Sequence, residues 1–217
     1  MTDHPRASAR GTSTARGRGQ RRSQVQIATG NARGPGPVWL CRHPTGAGTF
    51  EEAARRASHE ELAVAKVLVA EGHRVRTVPE RRGARSADLV ACGTSVEVKA
   101  FQALAERGGK RPGSQAVANK ILDARGQGAV AVLWGGESGL SLAAARQGYG
   151  MFCQRALDEG PGRLRAVRMI GAGFDISFNV EIGLRAARQA RLDARDHART
   201  PSPSSGARRS SRVQLSF

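Results

Sequence analysis

One stretch of the chain combines two acidic residues and a lysine in a pattern that could do chemistry. It reads SADLVACGTSVEVKAF over residues 86–101, so that Asp88 is followed nine residues later by Glu97-Val98-Lys99. Two carboxylates that share a site can hold Mg²⁺ or Mn²⁺, since these cations prefer hard oxygen ligands. Such a cation neutralises charge on a phosphate and activates a water molecule. The stretch is therefore a candidate site for metal-assisted hydrolysis of phosphodiester bonds.

A β-hairpin must position these residues. Two β-prone runs, residues 87–92 and 95–101, flank Gly93-Thr94, and Gly at the first central position of a turn favours a type II′ hairpin. With that turn, Asp88 lies opposite Lys99 and diagonal to Glu97. The predicted pairs are Cys92 with Ser95, Ala91 with Val96, Val90 with Glu97, Leu89 with Val98 and Asp88 with Lys99.

Side chains alternate along each strand, so the hairpin has two different faces. Asp88, Glu97 and Lys99 share one face with Val90, and the other face is apolar. Diagonal positions are about 7–8 Å apart at the backbone, a separation that one metal ion bridging two carboxylates can span. The alternative interpretation is an exposed sheet face with a cross-strand Asp88–Lys99 ion pair. Only four of the 35 basic residues are Lys, so composition alone would favour Arg at position 99. A lysine there weakly favours the chemical interpretation, because a mobile point charge suits that chemistry better than a planar guanidinium.

The elements around the hairpin predict an α/β fold. Helix, three strands, helix and strand follow one another, which indicates a mixed sheet with helices packed against it. After them come a further helix and two strands, and then a basic helix. The predicted helices cover residues 50–71, 114–125, 140–159 and 181–199, and the predicted strands cover residues 73–78, 87–92, 95–101, 129–134, 164–170 and 174–180.

Asp88, a strand-turn-strand spacer and Glu97-Val98-Lys99 resemble the pattern of the PD-(D/E)XK nuclease superfamily, although Ala87 stands where its pattern has proline. The resemblance implies a restriction-endonuclease-like core. It also implies that Asp88, Glu97 and the backbone carbonyl of Val98 hold Mg²⁺ or Mn²⁺, and that Lys99 acts on the nucleophile or transition state.

In many members of this superfamily a glutamate of the first helix approaches the metal. Glu61 is the candidate here, because it shares a helix face with Ala65 and Leu68, whereas Glu60 lies about 100° away around the helix. The alternative is that Glu61 is a glutamate that faces solvent.

A second set of residues is similar to the C-terminal tRNase toxin domain of contact-dependent growth inhibition (CdiA-type) proteins. The set is Ile121, Ala124 and Gln127 at helical spacing, followed by the apolar run at residues 129–134. The stretch LRAVRMIGAGFDISF also resembles that family's closing strands, so the likeness covers roughly residues 50–180. It implies tRNA ahead of DNA as substrate, an immunity protein as partner, and a role of Gln127 in holding a metal-bound water or a phosphate oxygen. The alternative for Gln127 is an ordinary loop residue.

The charge distribution separates the ends of the chain from its middle. Of the formal net charge of +17, residues 1–50 carry +7, residues 185–217 carry +6 and the middle carries +4. Low-complexity basic ends are typical of disordered segments that add salt-sensitive affinity for nucleic acid. We therefore predict a disordered Arg/Gly-rich tail over residues 1–48, a nuclease-like domain over 49–181, and a basic helix with a second disordered tail over 182–217.

Two pairs of basic residues flank the predicted site. Arg81-Arg82 and Lys110-Arg111 lie in predicted loops, where they could contact a nucleic-acid backbone or could simply be solvated.

The sequence lacks the patterns that define several other functional classes. The chain has no apolar run of about 18 residues and no secretion signal, which predicts action in the cytoplasm without a membrane span. It has no phosphate-binding P-loop, and its five His and three Cys are too scattered for a zinc motif. Two alternatives to a tRNase remain: a DNA-directed restriction or repair nuclease of the same superfamily, and a non-catalytic nucleic-acid-binding protein.

Overall fold

The computed structural model describes residues 48–80 and 86–199. Arg81, Arg82 and most of both predicted tails lie outside these residues. Within the described residues, seven strands form one sheet, and four helices pack on it. The strands are β1 (Thr49–Glu51), β2 (Arg74–Thr77), β3 (Leu89–Ala91), β4 (Thr94–Ala100), β5 (Val130–Gly135), β6 (Ala166–Gly171) and β7 (Phe174–Asn179). The helices are α1 (His59–Ala70), α2 (Ser114–Ala124), α3 (Leu142–Glu159) and α4 (Val180–Arg199).

The strands are arranged in the sheet in chain order, from β1 to β7. The pairs β1–β2, β4–β5 and β5–β6 are parallel, and β2–β3, β3–β4 and β6–β7 are antiparallel. The order α1, β2, β3, β4, α2, β5 reproduces the predicted helix, three strands, helix and strand. The predicted α/β class with a mixed sheet flanked by helices is confirmed.

Each face of the sheet has its own apolar core. Alternate residues of β5 point to opposite faces, so Val130 and Val132 join the core beneath α1, whereas Ala131 and Leu133 join the core beneath α2 and α3. The second core also contains Ala187 of α4, so part of the predicted basic helix packs on the domain. No helix within the described residues has the length and apolar composition needed to cross a bilayer.

The predicted hairpin register is wrong by two residues. Leu89 pairs with Val96 and Ala91 with Thr94, so the turn consists of Cys92 and Gly93 instead of Gly93-Thr94. Both turn residues have positive φ, 47° and 85°, as a type I′ turn requires, and glycine adopts the second position without strain. The predicted pairing of Asp88 with Lys99 is therefore also wrong. Because the error is an even number of residues, the predicted sharing of faces is unaffected.

The first helix starts nine residues later than predicted. Ser58 is its N-cap: its hydroxyl accepts from the Glu61 amide at 3.2 Å, and the Glu61 carboxylate accepts from the Ser58 amide at 2.9 Å. This reciprocal capping box fixes the start of α1 at His59. The residues before it form β1 and a loop over residues 52–58, although they include strong helix formers.

Candidate active site

The predicted site lies where the sheet opens between β3 and β4. The backbone carbonyl of Asp88 still accepts from the Val78 amide next to β2, at 3.0 Å. Its side chain turns the other way, and Oδ2 accepts from the Val98 amide of β4 at 2.8 Å. Asp88 therefore bridges two separating strands and satisfies a backbone donor that β3 no longer reaches. The N–H and C=O of one strand residue point to the same side, so the Val98 carbonyl also faces the Asp88 side.

Glu97 is a buried residue of β4, with only 2% of its surface exposed. One carboxylate oxygen, Oε1, is 2.5 Å from Lys99 Nζ. The other, Oε2, is buried and has no hydrogen-bond partner among the described residues. A buried unpaired acceptor costs about 1–3 kcal/mol, and more if charged, so this oxygen calls for an explanation.

Lys99 connects Glu97 to Gln127, which it reaches at 3.0 Å between Nζ and Oε1. Gln127 stands here because the connection from α2 to β5 is pinned to β4. The Ala129 amide donates to both the carbonyl and the hydroxyl of Ser95, at 3.1 and 2.9 Å. Gly128 passes so close to β4 that a Cβ there would be 2.9 Å from the Glu97 nitrogen.

Arg55 also belongs to this cluster of side chains, although no sequence pattern predicted it. Its guanidinium binds both oxygens of Glu61, at 2.7 and 2.8 Å, and reaches Asp88 Oδ1 at 3.5 Å. Thr77 fixes the backbone beneath it, since the Thr77 hydroxyl donates to the Arg55 carbonyl at 3.0 Å and accepts from the Arg55 amide at 3.4 Å. No pattern distinguishes Arg55 from its exposed neighbour Arg56, and Thr77 is 22 residues away, so the sequence carried no signal for this contact.

The surroundings shift the three carboxyl pKa values differently. Burial raises the pKa of Glu97 to about 7; Asp88 adds to the increase, and the Lys99 ammonium opposes it. Burial also raises the pKa of Asp88, although the Val98 amide works against the shift. Burial alone would raise the pKa of Glu61, but the Arg55 and Ser58 hydrogen bonds outweigh it and the pKa is lowered. Asp88 and Glu97 thus hold protons more readily than ordinary carboxyls, and Glu61 holds them less readily.

The fold therefore brings together five of the predicted residues: Asp88, Glu97, Lys99, Gln127 and Glu61. Lys110 and Arg111 are exposed in the loop that precedes α2, and their predicted contact with nucleic acid stays a prediction. Glu60 lies at the start of α1, where it accepts from the Ser58 hydroxyl at 3.0 Å.

Two carboxylates, not three, have an oxygen suited to a cation in this arrangement. Within residues 48–80 and 86–199, no three His, Cys, Asp or Glu side chains form a group that could hold a metal ion. Both oxygens of Glu61 are occupied by Arg55, and one of them also by the Ser58 amide. The unpaired Glu97 oxygen, Asp88 and the Val98 carbonyl are hard oxygen donors of the kind that Mg²⁺ and Mn²⁺ accept. They fit a cation bound by few protein ligands.

Comparisons with known proteins add little to this geometry. No protein-family model matches the sequence, and no curated protein is similar to it. Among solved structures, a chain of the CdiA-CT/CdiI toxin and immunity complex from Burkholderia pseudomallei is similar to this one. The identity is 17%, the match covers 62% of this chain and 99% of that chain, and the TM-score is 0.36. A likeness at this level carries no argument about function.

Proposed function

We propose that this protein is a metal-dependent nuclease, with a divalent cation held by Asp88, Glu97 and the Val98 carbonyl. The observation that carries the proposal is the buried, unpaired oxygen of Glu97 beside Asp88 and Lys99. A fold that only needed a stable core would not leave a carboxylate oxygen unsatisfied there, since an apolar side chain would be less costly. A cation ligand explains why an acidic residue occupies the position.

When bound, Mg²⁺ or Mn²⁺ would neutralise charge on the phosphate and activate water. Lys99 is held by Glu97 and Gln127, so its ammonium is fixed before substrate arrives. An ammonium has three donors, and these contacts use two of them. The third donor can bind a phosphate oxygen or orient the attacking water, and Gln127 keeps it aimed. Preorganised charge of this kind contributes most when it faces charge that develops in the transition state.

The substrate in this proposal is nucleic acid, with tRNA ahead of DNA. The preference for tRNA, the toxin role and an immunity partner rest on the motifs that resemble CdiA-type domains. A DNA-directed nuclease would use the same site on another substrate. Arg81, Arg82, Lys110 and Arg111 are the residues proposed to contact the nucleic-acid backbone. Glu61 is proposed as a further metal ligand that becomes available only when Arg55 releases its carboxylate.

The test is cleavage of tRNA and of duplex DNA by the purified chain in Mg²⁺, in Mn²⁺ and in EDTA. We expect cleavage only with metal, and its loss in Asp88→Ala and Lys99→Ala. Asp123→Ala on α2 and Lys66→Ala on α1 are matched controls, since both residues are exposed outside the site. Nucleic-acid binding that persists in every variant, without cleavage by the wild type, would instead identify a non-catalytic binding protein.

The toxin role has a separate test in bacterial cells. Expression of the chain should slow growth, and Lys99→Ala should abolish the effect. Co-expression with an immunity protein should restore growth. A wild-type chain that cleaves tRNA in vitro and is harmless in cells would retain the nuclease proposal and exclude the toxin role.

A further inference from the structure

A single guanidinium lies between two carboxylates of the candidate active site, and the proposed function gives it no task. We propose that Arg55 is the built-in counter-ion of this site: it holds Glu61 and Asp88 together in the metal-free protein and competes with the divalent cation for them. This inference rests on the proposed function, since it concerns the same carboxylates.

The hydrogen bonds show how completely Arg55 occupies Glu61. Its two terminal nitrogens bind separate oxygens of that carboxylate, at 2.7 and 2.8 Å, in the bidentate geometry that a planar guanidinium favours. One of the same nitrogens then reaches Asp88 at 3.5 Å. Glu61 can therefore ligate a cation only after Arg55 has moved, whereas Asp88 is held by a longer and weaker contact.

Arg55 is placed in the site by the fold itself. The loop over residues 52–58 is fastened to β2 by Thr77, which is 2% exposed and bonds the backbone of both Ala54 and Arg55. The Arg55 side chain is 19% exposed, and its buried Nε makes no hydrogen bond among the described residues, although it lies 3.8 Å from the carboxylate of the exposed Glu80. An arginine that contacted two carboxylates only by chance would not need its backbone fixed by Thr77, a residue 22 positions away in the sequence.

Charge counting gives the direction of the effect. With every group ionised, Asp88, Glu97 and Glu61 carry −3 and Arg55 and Lys99 carry +2, which leaves −1. Glu80 also lies 3.8 Å from Arg55 Nε, but its side chain is 85% exposed and screened by water, so it is left out of this count. A divalent cation would bring this cluster to +1. Without Arg55 the cluster would carry −2, and the same cation would bring it to zero. Removal of Arg55 should therefore strengthen cation binding, because like charges in a partly buried site repel.

The test measures Mn²⁺ binding by calorimetry and thermal unfolding in EDTA and in Mn²⁺. We expect Arg55→Gln to unfold at a lower temperature in EDTA, because Glu61 and Asp88 lose their counter-ion. We also expect it to bind Mn²⁺ on the order of tenfold more tightly, the effect of removing one nearby positive charge. Mn²⁺ should then raise its unfolding temperature more than that of the wild type.

Two variants separate charge from structure. Arg55→Lys keeps the charge and should retain nearly the wild-type Mn²⁺ affinity, although it loses the bidentate contact. Arg56→Gln removes the same charge from the exposed neighbouring position and should match the wild type. A purely structural role of Arg55 would lower the unfolding temperature without any gain in Mn²⁺ affinity. Equal or weaker Mn²⁺ binding by folded Arg55→Gln overturns the inference.

The remaining outcomes distinguish this inference from the proposed function. If Arg55→Gln folds only when Mn²⁺ is added, the competition is supported; if Mn²⁺ does not recover its fold, the inference fails. If the wild type binds Mn²⁺ through Asp88, as judged by loss of binding in Asp88→Ala, while Arg55→Gln binds equally well, only the role of Arg55 is wrong. If no variant binds Mn²⁺, both proposals fail.

Discussion

Two clusters of charge, each built around one buried ionisable residue, lie on opposite faces of the sheet, and they differ in how completely they are paired. On the α1 face, Arg168 of β6 binds Glu71 and Asp175. All three guanidinium nitrogens and all four carboxylate oxygens take part, with Nη1 at 2.7 Å from Glu71 and Nε at 2.9 Å from Asp175. On the other face, Glu97 also meets a cation, Lys99, but keeps one buried oxygen without a partner.

The difference favours a stabilising role for the Arg168 cluster and supports the proposed chemical role of the Glu97 cluster. A buried ion pair tolerates the loss of water only if its remaining hydrogen bonds are made, and the Arg168 cluster meets that condition. The Glu97 cluster does not, so the free energy of unfolding is lower than the fold could achieve. Departures from full pairing of this kind concentrate at functional sites, where a ligand supplies the missing contact.

Glu97→Gln should give the largest effect and the clearest contrast. The amide keeps the shape and the contact with Lys99 but cannot supply a negative charge to a cation. We expect cleavage to fall on the order of 10³-fold, as for the loss of one electrostatic contact in a transition state. The free energy of unfolding at pH 8 should stay equal or rise, because a neutral group replaces a buried charge. Steady-state cleavage and urea unfolding measure the two effects, and a marked loss of stability would contradict the comparison.

Arg168→Met should show the opposite behaviour. It leaves Glu71 and Asp175 without a partner, although both are partly exposed and can regain some water. We expect the free energy of unfolding to fall by about 2–4 kcal/mol, with cleavage retained at temperatures where the variant is folded. Arg191→Met is the matched control, because Arg191 makes a surface pair with Asp158 and should change stability very little. Loss of cleavage in folded Arg168→Met would mean that the two clusters are not independent.

The pH dependence of stability sharpens the comparison further. The pKa of Glu97 is about 7 in the folded protein, above the 4.5 of an ordinary glutamate. The folded state therefore binds more protons than the unfolded chain between these values, so stability falls as the pH rises. In EDTA we expect the wild type to lose on the order of 2–3 kcal/mol from pH 4.5 to 8 through this group. Urea unfolding of Glu97→Gln should show a weaker decline, and parallel curves would exclude Glu97 as the cause.

The side chains that share a face of the hairpin were predictable, because side chains along a strand alternate between its two faces every second residue. Asp88, Glu97 and Lys99 share a face in any register that differs by an even number of residues, so the wrong turn did not separate them. The turn itself was mispredicted because Cys92 adopts a positive φ, which is uncommon for a residue other than glycine. The metal, the substrate and the roles of the site residues stay predictions.

The start of α1 and the contacts of Arg55 show where local reasoning stopped. Ser58 and Glu61 have the spacing of a capping box, but the helix-forming residues before them favoured a longer helix. Arg55 acquires its place only when the loop meets Thr77 and the sheet brings Asp88 near, and both contacts join residues more than 20 positions apart. Propensity and periodicity describe near neighbours, so they cannot reveal such contacts.

Gly128→Ala should give the smallest of these effects. It tests whether close packing of the α2–β5 connection against β4 is needed for the site. Its new methyl group would lie 2.9 Å from the Glu97 nitrogen and 3.2 Å from the Ser95 carbonyl, both backbone atoms that cannot rotate away. Overpacking of this kind costs about 1–3 kcal/mol, and it would push Gln127 and β5 away from β4. Gly183→Ala is the matched control, since its methyl group would press on Tyr149 and Cys153 between α3 and α4. Both variants should unfold at lower urea concentration, but only Gly128→Ala should also cleave more slowly while folded, by far less than Glu97→Gln, because only Gly128 adjoins Glu97. Equal cleavage by the two folded variants would show that the position of Gln127 relative to Glu97 does not matter for the reaction.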